Sequence, residues 1–167
     1  MNKERVLFVI PAYNEEENIE KVLKEIKEDI NYADIIVVND CSKDNTKDIV
    51  IKNDVRCIDG IFNLRYAWAV QTGLKYAYQN DYDYVIQFDA DGQHIAKEAL
   101  KLLEQTKKNN TDIVIGSRYL KDTGYPCPLF RKIGTKIFSL LIKIFCHHIL
   151  FPSRYLHNIF LILHTYF

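Results

Sequence analysis

Short apolar runs alternate with longer segments of mixed polarity along most of this chain. Five of the runs are rich in β-branched residues and have the length of buried strands. Segments with helical patterning follow the first four, so strand and helix alternate about five times. This order predicts an α/β fold with a mostly parallel sheet flanked by helices. The predicted strands are RVLFVIP, DIIVVND, VRCID, DYVIQFDAD and DIVIGSR.

The segment after the first strand has the clearest helical pattern. Its apolar residues recur at helical spacing, which predicts one buried face. Asn14 stands before the segment and is predicted to cap the helix, while the acidic residues after it suit the positive helix N-terminus. The residues of the predicted buried face are Ile19, Val22, Leu23 and Ile26.

Polar residues follow three of the predicted strands. The strand ends read PAYNE, NDCS and DADGQ. In a parallel sheet the carboxyl ends of the strands meet at one edge, which is where α/β proteins bind ligands. The three strand ends are therefore predicted to form one site, although any one of them alone is equally compatible with an ordinary turn.

The charge is balanced overall but unevenly distributed. All 22 acidic residues lie in residues 1–122, where they face 17 Lys and Arg, whereas residues 123–167 have no acidic residue and five Lys or Arg. Zero net charge gives no indication of a nucleic-acid partner. The compositional change predicts a different partner or origin for the last 45 residues.

Targeting and redox signals are weak in this sequence. The four cysteines are widely spaced and form no C-x-x-C motif, which favours a reducing, cytoplasmic compartment over a zinc or redox site. The N-terminal apolar run is too short for a signal peptide, and no run reaches the ~20 residues of a transmembrane helix.

Two carboxylates, Asp89 and Asp91, follow the fourth apolar run one residue apart. If the chain is extended here, the two side chains point to the same side of the strand, and their charges repel each other unless a cation lies near them. Mg²⁺ and Mn²⁺ prefer such oxygen ligands and often bridge carboxylates to phosphates. Gln93 and His94 are candidates for a further ligand or hydrogen bond. The alternative is a polar turn at Asp91 and Gly92.

The ordered series VIPAYNEEENI, VVNDCSKDNT, NLRYAWAVQTGLKYA, VIQFDADGQH and DIVIGSRYL resembles glycosyltransferase family 2 over about residues 4–145. Within the family it is most similar to bacterial enzymes related to dolichyl-phosphate mannose synthase. The resemblance implies a Rossmann-like GT-A fold in residues 1–122. It also implies an inverting, metal-dependent transfer of a hexose from a nucleotide-diphosphate sugar, of the UDP-glucose or GDP-mannose type. The implied acceptor is a polyprenyl phosphate or a cell-surface glycan.

The same resemblance assigns roles to individual residues. The metal, Mn²⁺ or Mg²⁺, would be bound by Asp89 and Asp91, which flank Ala90, with Gln93 nearby. Asp40 would contact the base or ribose, and Ser117 and Arg118 would approach the sugar or diphosphate. Asp89, Asp91 and Arg118 are the implied catalytic residues. The nucleoside pocket would include Pro11, Ala12, Tyr13 and Glu15, and two further family matches are Asn63 and Gly73.

The stretch NLRYAWAVQTG departs from the glycine-rich pattern of the family. Arg65, Ala67 and Trp68 stand where glycines are expected. Arg65 and Trp68 could crowd a bound diphosphate. Alternatively, Arg65 neutralises the diphosphate and Trp68 packs, or the whole stretch is a packed helix start with no ligand role.

The C-terminal third departs further. Residues 123–145 form a predicted basic amphipathic helix, which suits either core packing or the inner face of the cell membrane. Residues 146–167 lack the family's acceptor-site pattern, so a truncated or frameshifted gene is expected. The alternative function is then a nucleotide-sugar-binding remnant with impaired transfer. A nucleotidyltransferase is disfavoured because AYNEEEN replaces a phosphate loop. The oligomeric state stays open.

Overall fold

The computed structural model describes residues 4–109 and 111–116 in full and the backbone of residues 160–164. These residues contain six strands and four helices in alternating order up to the fifth strand. In chain order they are β1 (Val6–Ala12), α1 (Ile19–Asp29), β2 (Asp34–Asn39), α2 (Thr46–Lys52), β3 (Arg56–Asp59), α3 (Tyr66–Gln79), β4 (Tyr84–Gln87), α4 (Ala96–Asn109), β5 (Ile113–Gly116) and β6 (Phe160–His164).

The strands form one sheet in the order β3-β2-β1-β4-β6-β5. β1 pairs in parallel with β2 and with β4, and β2 pairs in parallel with β3. β6 runs antiparallel to β4. The prediction of an α/β fold with a mostly parallel sheet is therefore confirmed.

β1 lies at the centre of the parallel part and is buried along its whole length. Phe8 and Ile10 belong to the core cluster that also contains residues of α1 and α4. Leu7 and Val9 belong to a second cluster, which includes Ala77 of α3. Alternate residues of a strand point to opposite faces, so helices cover both faces of the sheet at this strand.

The first helix has the buried face predicted for it, since all four of its predicted apolar residues are buried. Its predicted start was wrong. α1 begins at Ile19 with Asn18 at the N-cap position, whereas Asn14 adopts a left-handed conformation with φ of 54°. The Asn14 Oδ1 accepts a hydrogen bond of 2.8 Å from the backbone N–H of Lys43. This tertiary contact between two strand-end loops competes with the local cap and determines where Asn14 lies.

The C-terminal tail contributes a strand, which was not predicted. Residues 160–164 form β6 between β4 and β5, with Val85 opposite Leu163 and Ile86 opposite Ile162. A short apolar run such as FLIL has no periodicity that distinguishes a strand from a helix. Pairing with a segment about 75 residues earlier determines the strand, and no local pattern reports that pairing.

Tyr82 precedes β4 and provides a test of the structure at alkaline pH. Its hydroxyl donates a 2.8 Å hydrogen bond to Asp34 Oδ2, and the side chain is buried. Burial, with this hydrogen bond, raises the pKa of Tyr82 to about 12. The folded pKa then exceeds the unfolded value of about 10. The contribution of Tyr82 to stability is thus complete below pH ~10 and is lost as the pH rises towards ~12.

We expect Tyr82→Phe to make the loss of stability between pH ~10 and ~12 shallower, because the titrating group is removed. Urea unfolding at a series of pH values measures this. Tyr32→Phe, at an exposed tyrosine, is the control and should follow the wild-type curve. Equal slopes for wild type and Tyr82→Phe would contradict the assignment.

Several predicted features lie outside the described residues. They are the basic helix of residues 123–145, Ser117 and Arg118, and most of the tail. In the described part of the chain, no helix has both the length and the apolar character needed to cross a membrane.

Candidate active site

The order of the strands places a crevice at the carboxyl ends of β1 and β4. From β1 the chain moves outward through β2 and β3, and then returns to the other side of β1 to form β4. Where the strand order reverses in this way, the connections that leave two neighbouring strands run in opposite directions along the sheet, and a crevice opens between them. α/β proteins bind ligands in this crevice. The segments that follow β1 and β4 are the predicted PAYNE and DADGQ strand ends.

A cavity of about 470 Å³ lies at this edge of the sheet. The predicted residues from all three strand ends line it, so the structure brings them together as expected. It is also lined by Arg65, the N-cap residue of α3, and by Tyr66 and Ala69 in the first turn of that helix, which were not predicted. The twelve lining residues are Pro11, Ala12, Tyr13, Glu15, Asp40, Asn63, Arg65, Tyr66, Ala69, Asp89, Ala90 and Asp91.

Asp40 links the β2 end to the loop before α3. It is only 3% exposed, and its Oδ1 accepts a 2.8 Å hydrogen bond from the backbone N–H of Leu64. The Asn63 side chain donates to the Asp40 carbonyl at 3.2 Å. One carboxylate oxygen therefore orders the loop, and the other has no hydrogen bond to the described residues. Asp40 can consequently fix the loop and accept a hydrogen bond from a ligand at the same time.

Asp89 is held by two neighbouring side chains. Its Oδ1 accepts a 2.8 Å hydrogen bond from the Tyr66 hydroxyl, and its Oδ2 lies 3.2 Å from Nε2 of buried His94. Gln87 donates to the Tyr66 hydroxyl at 2.5 Å. Burial, followed by the charge of Asp89, raises the pKa of Tyr66, so the phenol stays protonated and acts as a donor. The sequence proposed His94 as a hydrogen-bonding partner but gave no indication of Tyr66.

Asp91 is held less firmly than Asp89. Its Oδ1 accepts a 2.9 Å hydrogen bond from the backbone N–H of Gln93, in a turn where Gly92 has a φ of 67°. No cluster of three or more His, Cys, Asp or Glu suited to a metal occurs in the described residues. Mg²⁺-type ions usually take one or two carboxylates from the protein and the remaining ligands from phosphates and water. Two carboxylates at the cavity therefore fit such an ion when a diphosphate completes its shell.

Two predicted binding residues do not line the cavity. Gly73 is buried in α3, where a Cβ would collide with the Val9 side chain. Its absence of a side chain is explained by packing of α3 against β1. Gln93 is exposed, and its backbone rather than its side chain makes the contact with Asp91.

Arg65 and Trp68, which stand where the resemblance led us to expect glycine, have different surroundings. Trp68 does not line the cavity but packs on Gly60, where a Cβ would approach its ring to 3.0 Å. Arg65 lines the cavity and is exposed. The structure thus favours packing for Trp68 and leaves Arg65 at the candidate site.

A larger cavity of about 630 Å³ lies at the opposite edge, near the amino ends of β1, β2 and β3. Two of its charged groups are paired: the Arg5 guanidinium lies 4.3 Å from the Tyr82 ring and 3.9 Å from Asp34 Oδ2. The cavity at the carboxyl ends is the stronger candidate, because ligands of α/β proteins bind at that edge of the sheet.

Comparison with known proteins identifies a family over the part of the chain that contains this cavity. The family described as "Glycosyl transferase family 2" matches residues 7–132. An uncharacterized protein of Methanocaldococcus jannaschii is 37% identical over 135 residues, which are 80% of this chain and 55% of that protein. A UDP-N-acetylglucosamine–dolichyl-phosphate N-acetylglucosaminyltransferase of Methanococcus voltae is 33% identical over 147 residues, 77% of this chain and 58% of that protein.

The fold also matches solved structures of sugar transferases. A mannosyltransferase from Pyrobaculum calidifontis, solved in complex with GDP-Man and Mn²⁺, superposes with a TM-score of 0.58 at 21% identity over 67% of this chain and 35% of that one. This chain spans between 55% and 61% of the length of three of the curated relatives that it matches. Because the family match covers most of the chain and the fold agrees with it, the chain belongs to glycosyl transferase family 2.

Proposed function

We propose that this chain provides the donor-binding half of an inverting glycosyltransferase that moves a hexose from a nucleotide-diphosphate sugar to a polyprenyl phosphate. The observation that carries the proposal is the single cavity that joins the ends of β1, β2 and β4 and contains Asp89 and Asp91. The M. voltae relative, by its name, uses a UDP-sugar and dolichyl phosphate. The P. calidifontis structure contains GDP-Man and Mn²⁺.

The nucleoside of the donor would occupy the part of the cavity between β1 and β2. Pro11 and Ala12 are buried and provide an apolar wall, while Tyr13 is exposed enough to cover a base. Asp40 would accept a hydrogen bond from the ribose or the base through its second oxygen. Because both uridine and guanosine offer suitable donors, either nucleotide is compatible with Asp40.

Asp89 and Asp91 would hold the metal ion, Mn²⁺ or Mg²⁺, whose charge would stabilise the departing nucleoside diphosphate. Tyr66 and His94 position the Asp89 carboxylate before any ligand arrives. Asp91 Oδ1 accepts a hydrogen bond from the Gln93 N–H of its own turn. Because this contact is local, the Asp91 side chain is freer than that of Asp89 to move towards a ligand. This combination of one fixed and one adaptable carboxylate would orient the diphosphate at the end of β4.

A phosphate acceptor matches the absence of an assigned general base. Polyprenyl phosphate is an anion at neutral pH, so it can attack the sugar without first losing a proton. A peripheral position at the inner face of the cell membrane, with the basic residues 123–145 as the membrane-contacting segment, would give the enzyme access to a lipid acceptor. Arg118 would then contact the sugar or the diphosphate.

Calorimetric titration of the purified chain with UDP-glucose and with GDP-mannose, each with and without Mn²⁺, tests the donor half. We expect one donor to bind with a Mn²⁺-dependent affinity, since the diphosphate and the two carboxylates share the ion. A folded chain that binds neither donor would contradict the proposal. Donor binding without sugar transfer to polyprenyl phosphate would instead support the nucleotide-sugar-binding remnant.

A further inference from the structure

Arg65 has a backbone conformation that is almost confined to glycine. Its φ is 73° and its ψ is 169°, at the residue before the first turn of α3. This region costs a residue with a Cβ on the order of 1–3 kcal/mol and persists only where the surroundings impose it. The other non-glycine residues with positive φ have values between 51° and 61°, in the ordinary left-handed range, and three of the four are Asn or Asp.

The contacts on either side of Arg65 impose this conformation. The Leu64 N–H is bound by the buried carboxylate of Asp40, and the Arg65 carbonyl accepts hydrogen bonds from Trp68 and Ala69 at the start of α3. Tyr66 is tied to Asp89 through its hydroxyl. The loop is therefore fixed by β2, by α3 and by the β4 end, and a glycine at position 65 would satisfy the same contacts without strain.

The charges around the cavity suggest what the arginine contributes. Four carboxylates line the cavity, and Arg65 is the one cation among its described lining residues. Its guanidinium forms no ion pair with any carboxylate of the described chain, although Lys47, Lys97 and Lys107 each do so elsewhere. Four carboxylates repel an anionic ligand, and an unpaired guanidinium offers planar donors that suit phosphate oxygens.

We infer that Arg65 binds the diphosphate of the donor, so that a position whose backbone conformation suits glycine instead provides a positively charged ligand contact. The inference rests on the proposed function, because it requires a nucleotide-diphosphate ligand in this cavity. The strain at position 65 is then retained because the side chain improves binding of the anion. Arg65 would then contribute, together with the metal ion, to the preference for a diphosphate over the corresponding nucleoside.

The test compares UDP with uridine, and GDP with guanosine, by calorimetry in the presence of Mn²⁺. Arg65→Gly should lower the affinity for the bound nucleoside diphosphate about 10-fold, as expected for loss of a charge-assisted contact, and leave nucleoside affinity unchanged. It should also raise the Tm by roughly 2–4 °C, because the strain is relieved. Arg65→Lys should retain part of the diphosphate affinity, because it keeps the charge but not the planar donors, and it should not raise the Tm. Arg56→Ala, which removes an exposed charge at the opposite sheet edge, should leave the affinities unchanged.

The outcomes separate this inference from the proposed function. Wild-type chain that binds neither UDP nor GDP would overturn the proposed function and the inference with it. Wild-type binding with equal diphosphate affinity in Arg65→Gly would overturn the inference alone. A parallel loss of nucleoside and diphosphate affinity would also overturn it, because the arginine would then shape the cavity rather than bind the anion.

Discussion

Replacing Gly73 by alanine is expected to lower the free energy of unfolding by about 2 kcal/mol, although alanine is the better helix former by about 1 kcal/mol. Gly73 lies in α3 directly over β1, and a Cβ would come within 3.0 Å of Val9 Cγ2 and closer still to Cγ1. Val9 is fully buried in the cluster between α3 and the sheet. Neither the helix nor the strand can move without disturbing its other contacts, so the steric cost exceeds the gain in helix propensity.

Urea unfolding of a double-mutant cycle measures this effect. Val9→Ala removes both γ-carbons that Cβ of residue 73 would meet, and alone it should destabilise the fold by leaving a cavity. The double variant Val9→Ala/Gly73→Ala should lose clearly less free energy of unfolding than the sum of the losses in the two single variants. Gln71→Ala, on the exposed side of the same helix, is the control for helix propensity. A stabilised Gly73→Ala variant would show that α3 does not pack on β1 in this way.

Asp91→Asn is expected to reduce Mn²⁺-dependent donor binding at least about 100-fold. The substitution keeps the shape of the side chain and removes the negative charge that would bind the ion. Loss of residues that only orient metal ligands already costs about 10–100-fold, so loss of a direct ligand should reach or exceed the upper value. The amide oxygen of the substituted side chain can still accept the hydrogen bond from the Gln93 N–H that holds the turn, so the fold should be retained.

The matched control is Asp81→Asn. Asp81 lies before β4, at the opposite end of the same strand, and is exposed in a left-handed turn that asparagine also tolerates. Asp81→Asn changes the net charge by the same amount as Asp91→Asn, at a residue that does not line the cavity. The Asp81→Asn variant should bind the donor with the same affinity as the wild type. If Asp91→Asn bound the donor as tightly as Asp81→Asn, and with the same dependence on Mn²⁺, Asp91 would not be a metal ligand.

Local patterns in the sequence were sufficient for β1 to β5, for the buried face of α1 and for the edge of the sheet that contains the site. Helical spacing identified the four buried residues of α1, because periodicity depends only on neighbouring residues along one helix. The alternation of strands and helices predicted the parallel sheet, and the polar strand ends predicted which residues meet at its edge. Nine of the residues that the family resemblance assigned to donor or metal binding line the cavity, and eight of them lie at the ends of β1, β2 and β4, which are neighbours in the sheet.

The tertiary structure decided what depends on contacts between distant segments. Asn14 binds the Lys43 amide instead of capping α1, and Gly73 fits against Val9 rather than a ligand. β6 pairs with a strand far earlier in the chain. These outcomes depend on partners that no local pattern identifies.

Arg65 illustrates the same limit most clearly. The family resemblance leads us to expect glycine at position 65, and the sequence alone left three roles open for the arginine: crowding a diphosphate, neutralising it or simple packing. Only the folded chain shows that Asp40 and α3 hold the glycine-like backbone and that no described carboxylate pairs with the guanidinium. Residue type indicates which backbone conformations are favourable, whereas the conformation that is adopted follows from the sum of contacts across the fold.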